Sequence, residues 1–210
     1  MSRRGVSAQD GSTGIHTIDL HTGDGHGFAL LHCAAARPRA RLLWLPALGV
    51  AARHCLPFAQ ALAARGVSVS VHEWRGHGSS TLRAGRACNW GDRELLEHDL
   101  PASLAAAPGD ADGSLGPRLI GGHSLGGQLA ALALAVPPSG ADRLWLAASG
   151  APYWRSFPGP RGWLLPWAYR FLWWLAETRG ALPGRAVGFG GREARGGLRH
   201  LARSRPSGRP

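Results

Sequence analysis

The chain has 210 residues, 44% of them hydrophobic, a formal charge of +11 and no lysine, so all 24 basic residues are arginine. That length supports one well-buried domain with an appendage, and the missing lysine excludes Schiff-base, lysine-base and Walker-type phosphate chemistry. From Arg155 onward 11 arginines face only Glu177 and Glu193, but no helix-turn-helix, zinc or RNP signature accompanies them, so nucleic acid is not an expected partner.

Residues 1–14 are polar and lack the apolar run of a secretory signal. Cys33, Cys55 and Cys88 are odd in number and without Cys-x-x-Cys spacing, which points to reduced thiols and a cytoplasmic protein. Ile15 to Leu20 and Phe28 to Cys33 read as strands joined through the turn signal Thr22-Gly23-Asp24-Gly25, an N-terminal β-hairpin at the sheet's edge. Arg41 to Leu45 is a near-continuous apolar run, expected of a strand buried on both faces, and it ends at Pro46-Ala47-Leu48-Gly49. Cys55, Phe58, Ala59 and Leu62 fall at helical spacing, predicting a helix from about 52 to 65 with Gly66 past its end. Val67, Val69 and Val71 alternate with polar residues as in a strand, and the turn-rich Arg75-Gly76-His77-Gly78-Ser79-Ser80 follows. A helix is predicted from about Asp92 to Ala106, with Pro101 kinking or breaking it.

Leu119 to Gly127 is a short apolar run leading into Gly122-His123-Ser124-Leu125-Gly126, with Gln128 to Ala135 helical in composition. This reads as a nucleophile elbow, in which small residues two places before and after a serine let the chain turn sharply from strand to helix. Such a turn lifts the hydroxyl above the sheet beside free helix N–H groups, which suits acyl transfer. P-loop spacing also exists between Gly121 and Gly126, but Gly127-Gln128 stands where Lys-Ser/Thr is required. Arg143 to Ala148 supplies a further strand. The alternation of strands and helices predicts an α/β fold with a mostly parallel, doubly wound sheet and a ligand site at the strands' carboxyl ends.

Beyond Ala151 the composition turns to Trp, Arg, Pro and Gly. Leu164, Trp167, Ala168, Phe171, Leu172 and Leu175 can share one helical face, an amphipathic lid-like segment. The apolar stretch Trp163 to Leu175 is too short to span a bilayer and carries Pro166 and Arg170. The expected organisation is a core at 15–150, the Trp/Arg-rich segment at 151–200 and a disordered tail at 201–210.

The stretches Pro46-Ala47-Leu48-Gly49-Val50, Arg75-Gly76-His77-Gly78-Ser79-Ser80 and Gly122-His123-Ser124-Leu125-Gly126-Gly127, in this order, resemble the α/β-hydrolase superfamily. Pro183-Gly184 and Gly188-Phe189-Gly190-Gly191-Arg192-Glu193-Ala194-Arg195 bring the chain closer to its serine aminopeptidase-like hydrolases. The resemblance implies Ser124 as nucleophile, an oxyanion hole from the N–H groups of Leu125 and Leu48, and Gly122, His123 and Gly126 as the elbow. It implies no metal or organic cofactor and a small, hydrophobic ester or amide substrate; it leaves substrate identity and oligomeric state open. Glu73 departs from the aspartate that relatives carry there, and a structural role is expected for it.

In this superfamily the triad runs Ser, acid, His on loops after later strands. After the sixth strand signal this chain offers only Glu177, Glu193 and His200, without the last strands of the fold. The spacing of Glu193 and His200 leaves no room for the intervening elements, and His77, on the Gly-rich loop, is a conceivable stand-in base. Two readings result: a C-terminally truncated serine hydrolase of esterase, lipase or peptidase type, or a catalytically inactive fold that binds a hydrophobic ligand or partner.

Overall fold

The side chains of β3 (Ala40–Leu45) alternate between two cores, which sets the layering of the molecule. The computed structural model describes residues 14–108, 116–136, 140–150, 154–157, 159–187 and 191–203. Leu43 and Leu45 point into a core with Leu30, Leu95, Leu100, Ile120 and Leu129. Leu42 and Trp44 point the other way, against Cys33, Ala59, Val69 and Val71. Helices α3 (Leu100–Ala106) and α4 (Leu125–Ala135) cover the first face and α1 (Leu56–Ala63) the second. The sheet is therefore wound on both sides, as the apolar run predicts.

Six strands run in the order β1-β2-β4-β3-β5-β6. The hairpin β1 (Ile15–His21) and β2 (Gly27–Cys33) is antiparallel and joins β4 (Val67–Val71) antiparallel. From β4 onward the pairings with β3, β5 (Arg118–His123) and β6 (Arg143–Ala147) are parallel. The hairpin thus lies at one edge, where the sequence puts it. The opposite edge is β6, whose Leu144, Trp145 and Leu146 are exposed.

The helix expected over 52–65 is a 3-10 turn, Ala52–Cys55, followed by α1, with Pro57 in the first helical turn where its missing N–H costs nothing. Gly66 ends the unit at φ +86°. Pro101 does not break the 92–106 helix. Instead α2 (Asp92–Glu94) passes through a π-turn, Leu95–Asp99, into α3, with Pro101 near its start. One extra residue in the turn absorbs the hydrogen bond that proline cannot make.

The Trp/Arg-rich segment contains more than a helix. After α5 (Pro160–Arg179) come β7 (Leu182–Pro183) and β8 (Arg192–Glu193), a two-stranded sheet of their own, and α6 (Arg195–Arg203). Helix α6 enters the stretch expected as a tail, because Leu198 packs with Leu175, Ala176 and Leu182; residues 204–210 lie outside the described ones. The predicted apolar face of α5 is buried only at its C-terminal end. Leu164, Trp167 and Phe171 stay exposed, since α6 and β7 cover only the last turns. Ala181 and Ala194 anchor the segment on Ala84 and Trp90 of the long loop after β4.

Candidate active site

Ser124 sits between β5 and α4 at φ 55°, ψ −120°, a conformation that a side-chain-bearing residue adopts only under strain of about 1–3 kcal/mol. The glycines explain how the turn closes. A Cβ on Gly122 would stand 2.6 Å from the Gly127 nitrogen, and one on Gly126 would run into the Leu45 and Pro46 carbonyl oxygens. Neighbouring chain holds the turn: the Ser124 N–H donates to Ala147 O at 3.0 Å, and the Gly127 and Gln128 N–H groups donate to Ser124 O. Ala148, just past the end of β6, is the other non-glycine at positive φ among the described residues, 48°.

Leu125 is the first residue of α4, where the helix itself offers its N–H no acceptor. The close approach of Gly126 to Leu45 and Pro46 brings the loop carrying Leu48 beside that helix start. Gly49, at φ +79°, makes the loop turn there. His123 is exposed at the end of β5. Among the described residues no side chain hydrogen-bonds the Ser124 hydroxyl.

His77 is buried and engaged at both ring nitrogens: Nδ1 lies 3.2 Å from Arg75 O and Nε2 3.1 Å from Glu193 Oε1. Burial lowers its pKa, but the Glu193 hydrogen bond and charge outweigh that and raise it. With a carbonyl and a carboxylate as partners both nitrogens donate, leaving no lone pair to accept a proton from a serine. Glu193 also accepts the Gly191 N–H at 3.1 Å. The sequence set Glu193 beside His200; the fold instead gives it to His77, 116 residues away, and places His200 on α6. Glu73 is buried beneath Gly78 and accepts the Ala52 N–H at 3.1 Å, with burial raising its pKa, the structural role expected for it.

A second constellation has no local signature in the sequence. Ser80 Oγ lies 2.9 Å from His26 Nε2, and His26 Nδ1 lies 3.0 Å from Asp99 Oδ1, the connectivity of a Ser-His-Asp triad. Its surroundings rule out acyl transfer. His26 and Asp99 have no exposed surface and Ser80 only 3%. The Ser80 oxygen also accepts the Gly76 and Leu82 N–H groups. Asp99 is clamped by Arg75 through two bonds of 2.7 and 2.8 Å, and Arg75 reaches on to Asp24 at 2.7 Å. Hydrogen bonds from Thr22 and Arg75 hold the Asp24 pKa down to about 2 against the pull of desolvation. This network fastens the Gly-rich loop to the hairpin and to the π-turn.

A cleft of about 870 Å³ is walled by Gly49 of the loop after β3, by the Gly76–Gly78 turn, and by Arg179, Ala181, Pro183, Ala186, Gly191 and Arg192. Arg53, Arg83, Arg179 and Arg192 line it, and sequence reasoning passed over all four because they are scattered along the chain. Among the described residues no group of three His, Cys, Asp or Glu side chains could hold a metal ion, and no helix is long and apolar enough to cross a membrane.

A family model described as serine aminopeptidase, S33, matches residues 36–187. No curated protein matches the chain by sequence. Among solved structures, a hydrolase from Pseudomonas aeruginosa PA01 superposes with a TM-score of 0.57 at 23% identity, over 82% of this chain and 57% of that one. An α/β hydrolase from Novosphingobium aromaticivorans DSM 12444 gives 0.54 at 25% identity, over 78% and 52%. The chain thus spans little more than half the length of these structural relatives.

Proposed function

The chain belongs to the serine aminopeptidase S33 family of α/β-hydrolases, and from that premise we propose that it carries a serine hydrolase site with Ser124 as nucleophile. The strained strand-to-helix turn at Ser124 is the observation that carries this reading. Ser124 Oγ gives its proton to a base and attacks an ester or amide carbonyl, and the Leu125 and Leu48 N–H groups receive the developing oxyanion. The C–O or C–N bond breaks to release the alcohol or amine with that proton, and water hydrolyses the acyl-serine to a carboxylic acid and free Ser124. Hydrolysis needs a base within hydrogen-bonding reach of Ser124. His77 is committed elsewhere, which leaves His200 as the remaining candidate for that part.

The substrate is a small-molecule ester or amide, and the segment after residue 151 acts as a lid, since Arg179, Ala181, Pro183, Ala186 and Arg192 form one wall of the cleft. Cys33, Cys55 and Cys88 are free, and burial raises the pKa of Cys33 and Cys55, which keeps them as thiols and fits a reducing, cytoplasmic setting. That no described side chain hydrogen-bonds the Ser124 hydroxyl favours a second reading, a ligand-binding hydrolase fold without turnover.

A fluorophosphonate probe with intact-mass readout separates the two. One adduct on the 22.1 kDa chain, lost in Ser124→Ala and kept in Ser80→Ala, supports the hydrolase. No adduct under conditions that label a serine esterase leaves the binder.

A further inference from the structure

The cleft between the loop after β3, the Gly76–Gly78 turn and the Arg179 to Pro183 stretch carries charge of one sign. Among its described lining residues are Arg53, Arg83, Arg179 and Arg192 with His54 and His77, and no carboxylate. The carboxylates nearest by contact are buried and engaged: Glu73 takes the Ala52 N–H beneath Gly78, and Glu193 takes His77 and the Gly191 N–H. Glu177, on the neighbouring helix, faces Arg195 at 3.7 Å. Arg53, Arg179 and Arg192 have exposed side chains and form no ion pair with any described residue. Arg83 is fixed in place by the carbonyls of Ser80, Leu82 and Gly78.

Four guanidinium groups around one concave space repel each other, and a concave wall of one sign concentrates counter-charge. Their planar donor forks match phosphate and carboxylate oxygens in pairs. A volume of about 870 Å³ exceeds what an inorganic ion needs and suits a small organic molecule. We propose that this cleft binds an organic oxyanion, a small molecule with a phosphate or carboxylate group held by Arg53, Arg179 and Arg192. Binding itself does not require Ser124; where the hydrolase reading holds, and resting on it, the cleft makes the substrate an ester or amide with an anionic head group.

The test is isothermal titration of the 210-residue chain with phenyl phosphate and, separately, with benzoate. Saturable binding of at least one probe is expected, weakening with added salt and at least tenfold weaker in Arg179→Gln and in Arg192→Gln. Arg93→Gln, which alters an exposed pair with Glu97, binds as the parent does. Which probe binds more tightly identifies the head group. Unfolding midpoints of each variant separate lost binding from lost folding, and Arg53→Gln serves if either of the others is unstable. No saturable binding of either probe, or unchanged affinity in the stable arginine variants, overturns the proposal. Anion binding by a parent chain that fluorophosphonate does not label sinks the hydrolase reading alone; labelling of the parent without anion binding sinks this one alone.

Discussion

At the scale of single residues the sharpest contrast is between two glycines. Gly126 has no room for a methyl group, because the Leu45 and Pro46 carbonyl oxygens occupy that space, whereas Gly197 on α6 has nothing within 4 Å of the same position. Gly126→Ala should cost about 3 kcal/mol or more through main-chain displacement at the elbow, and it should abolish probe labelling of Ser124. Gly197→Ala should be neutral or raise stability by up to ~1 kcal/mol, since alanine is the better helix former. Urea unfolding midpoints check both, and equal losses would show that the elbow is not the close-packed turn described. Ser80→Ala belongs with this pair. Its hydroxyl satisfies two loop N–H groups and His26, so removal should cost about 1–3 kcal/mol while Ser124 labelling persists; loss of labelling in a folded Ser80→Ala protein would make the sealed triad part of the site. Gly122, Ser124 and Gly126 were legible in sequence because an elbow compresses its demands into five consecutive positions. Ser80, His26 and Asp99 were not, because 54 and 73 residues separate the partners and nothing local marks them. The same holds for His77 and Glu193: each was visible, and only the fold pairs them.

Elements were legible where periodicity was decided by one buried environment. The valines of β4 and the apolar run of β3 read correctly because the sheet buries both faces at its centre. The 92–106 helix shows where such reading stops. Proline chemistry predicts a fault, but whether a helix breaks or takes up a π-turn depends on what it packs against, here Leu95 and Leu100 in the main core. Helix α5 shows a different limit: its apolar stripe is real, yet only Leu175 and Ala176 at its far end are buried, while Trp163, Trp167, Phe171 and Trp174 are each more than half exposed. Those four rings bury little surface, so the fold rests on them little. Trp163→Ser and Trp167→Ser together should move the unfolding free energy by under about 0.5 kcal/mol, as expected at exposed positions, and should reduce self-association seen by light scattering, because a contiguous apolar surface is lost. A large fall in stability would place those rings in a packed interface instead.

Across the whole molecule the buried histidines set how the fold responds to acid. His32 on β2 meets Ser70 on β4 at 2.9 Å, with His16 nearby, and His72 just beyond β4 meets Ser103 at 2.9 Å, facing Asp99, His26 and Arg75. Burial lowers both pKa values to about 4. The unfolded chain, with histidine near 6.5, therefore binds more protons than the folded one between pH 6.5 and 4. Their contribution is complete above 6.5 and disappears as the pH falls toward 4, on the order of 3 kcal/mol for each histidine. Asp24 and Asp99, whose pKa values are lowered, extend the loss below pH 4. His77, raised by Glu193, works the other way: its contribution is present below 6.5 and is lost as the pH rises through its folded value. Stability should thus peak near neutrality and fall steeply on the acid side, with rising positive charge on a chain already at +11 adding self-repulsion. The loss has a place in the sheet, since both histidines border the antiparallel β2–β4 seam, whereas β3, β5 and β6 hold no buried histidine. Hydrogen exchange at pH 5 should show β2 and β4 losing protection before β3 and β5, and His32→Asn with His72→Leu should flatten the midpoint between pH 6.5 and 4. Uniform loss of protection, or an acid limb unchanged in that double variant, would assign acid sensitivity to the carboxylate network around Arg75.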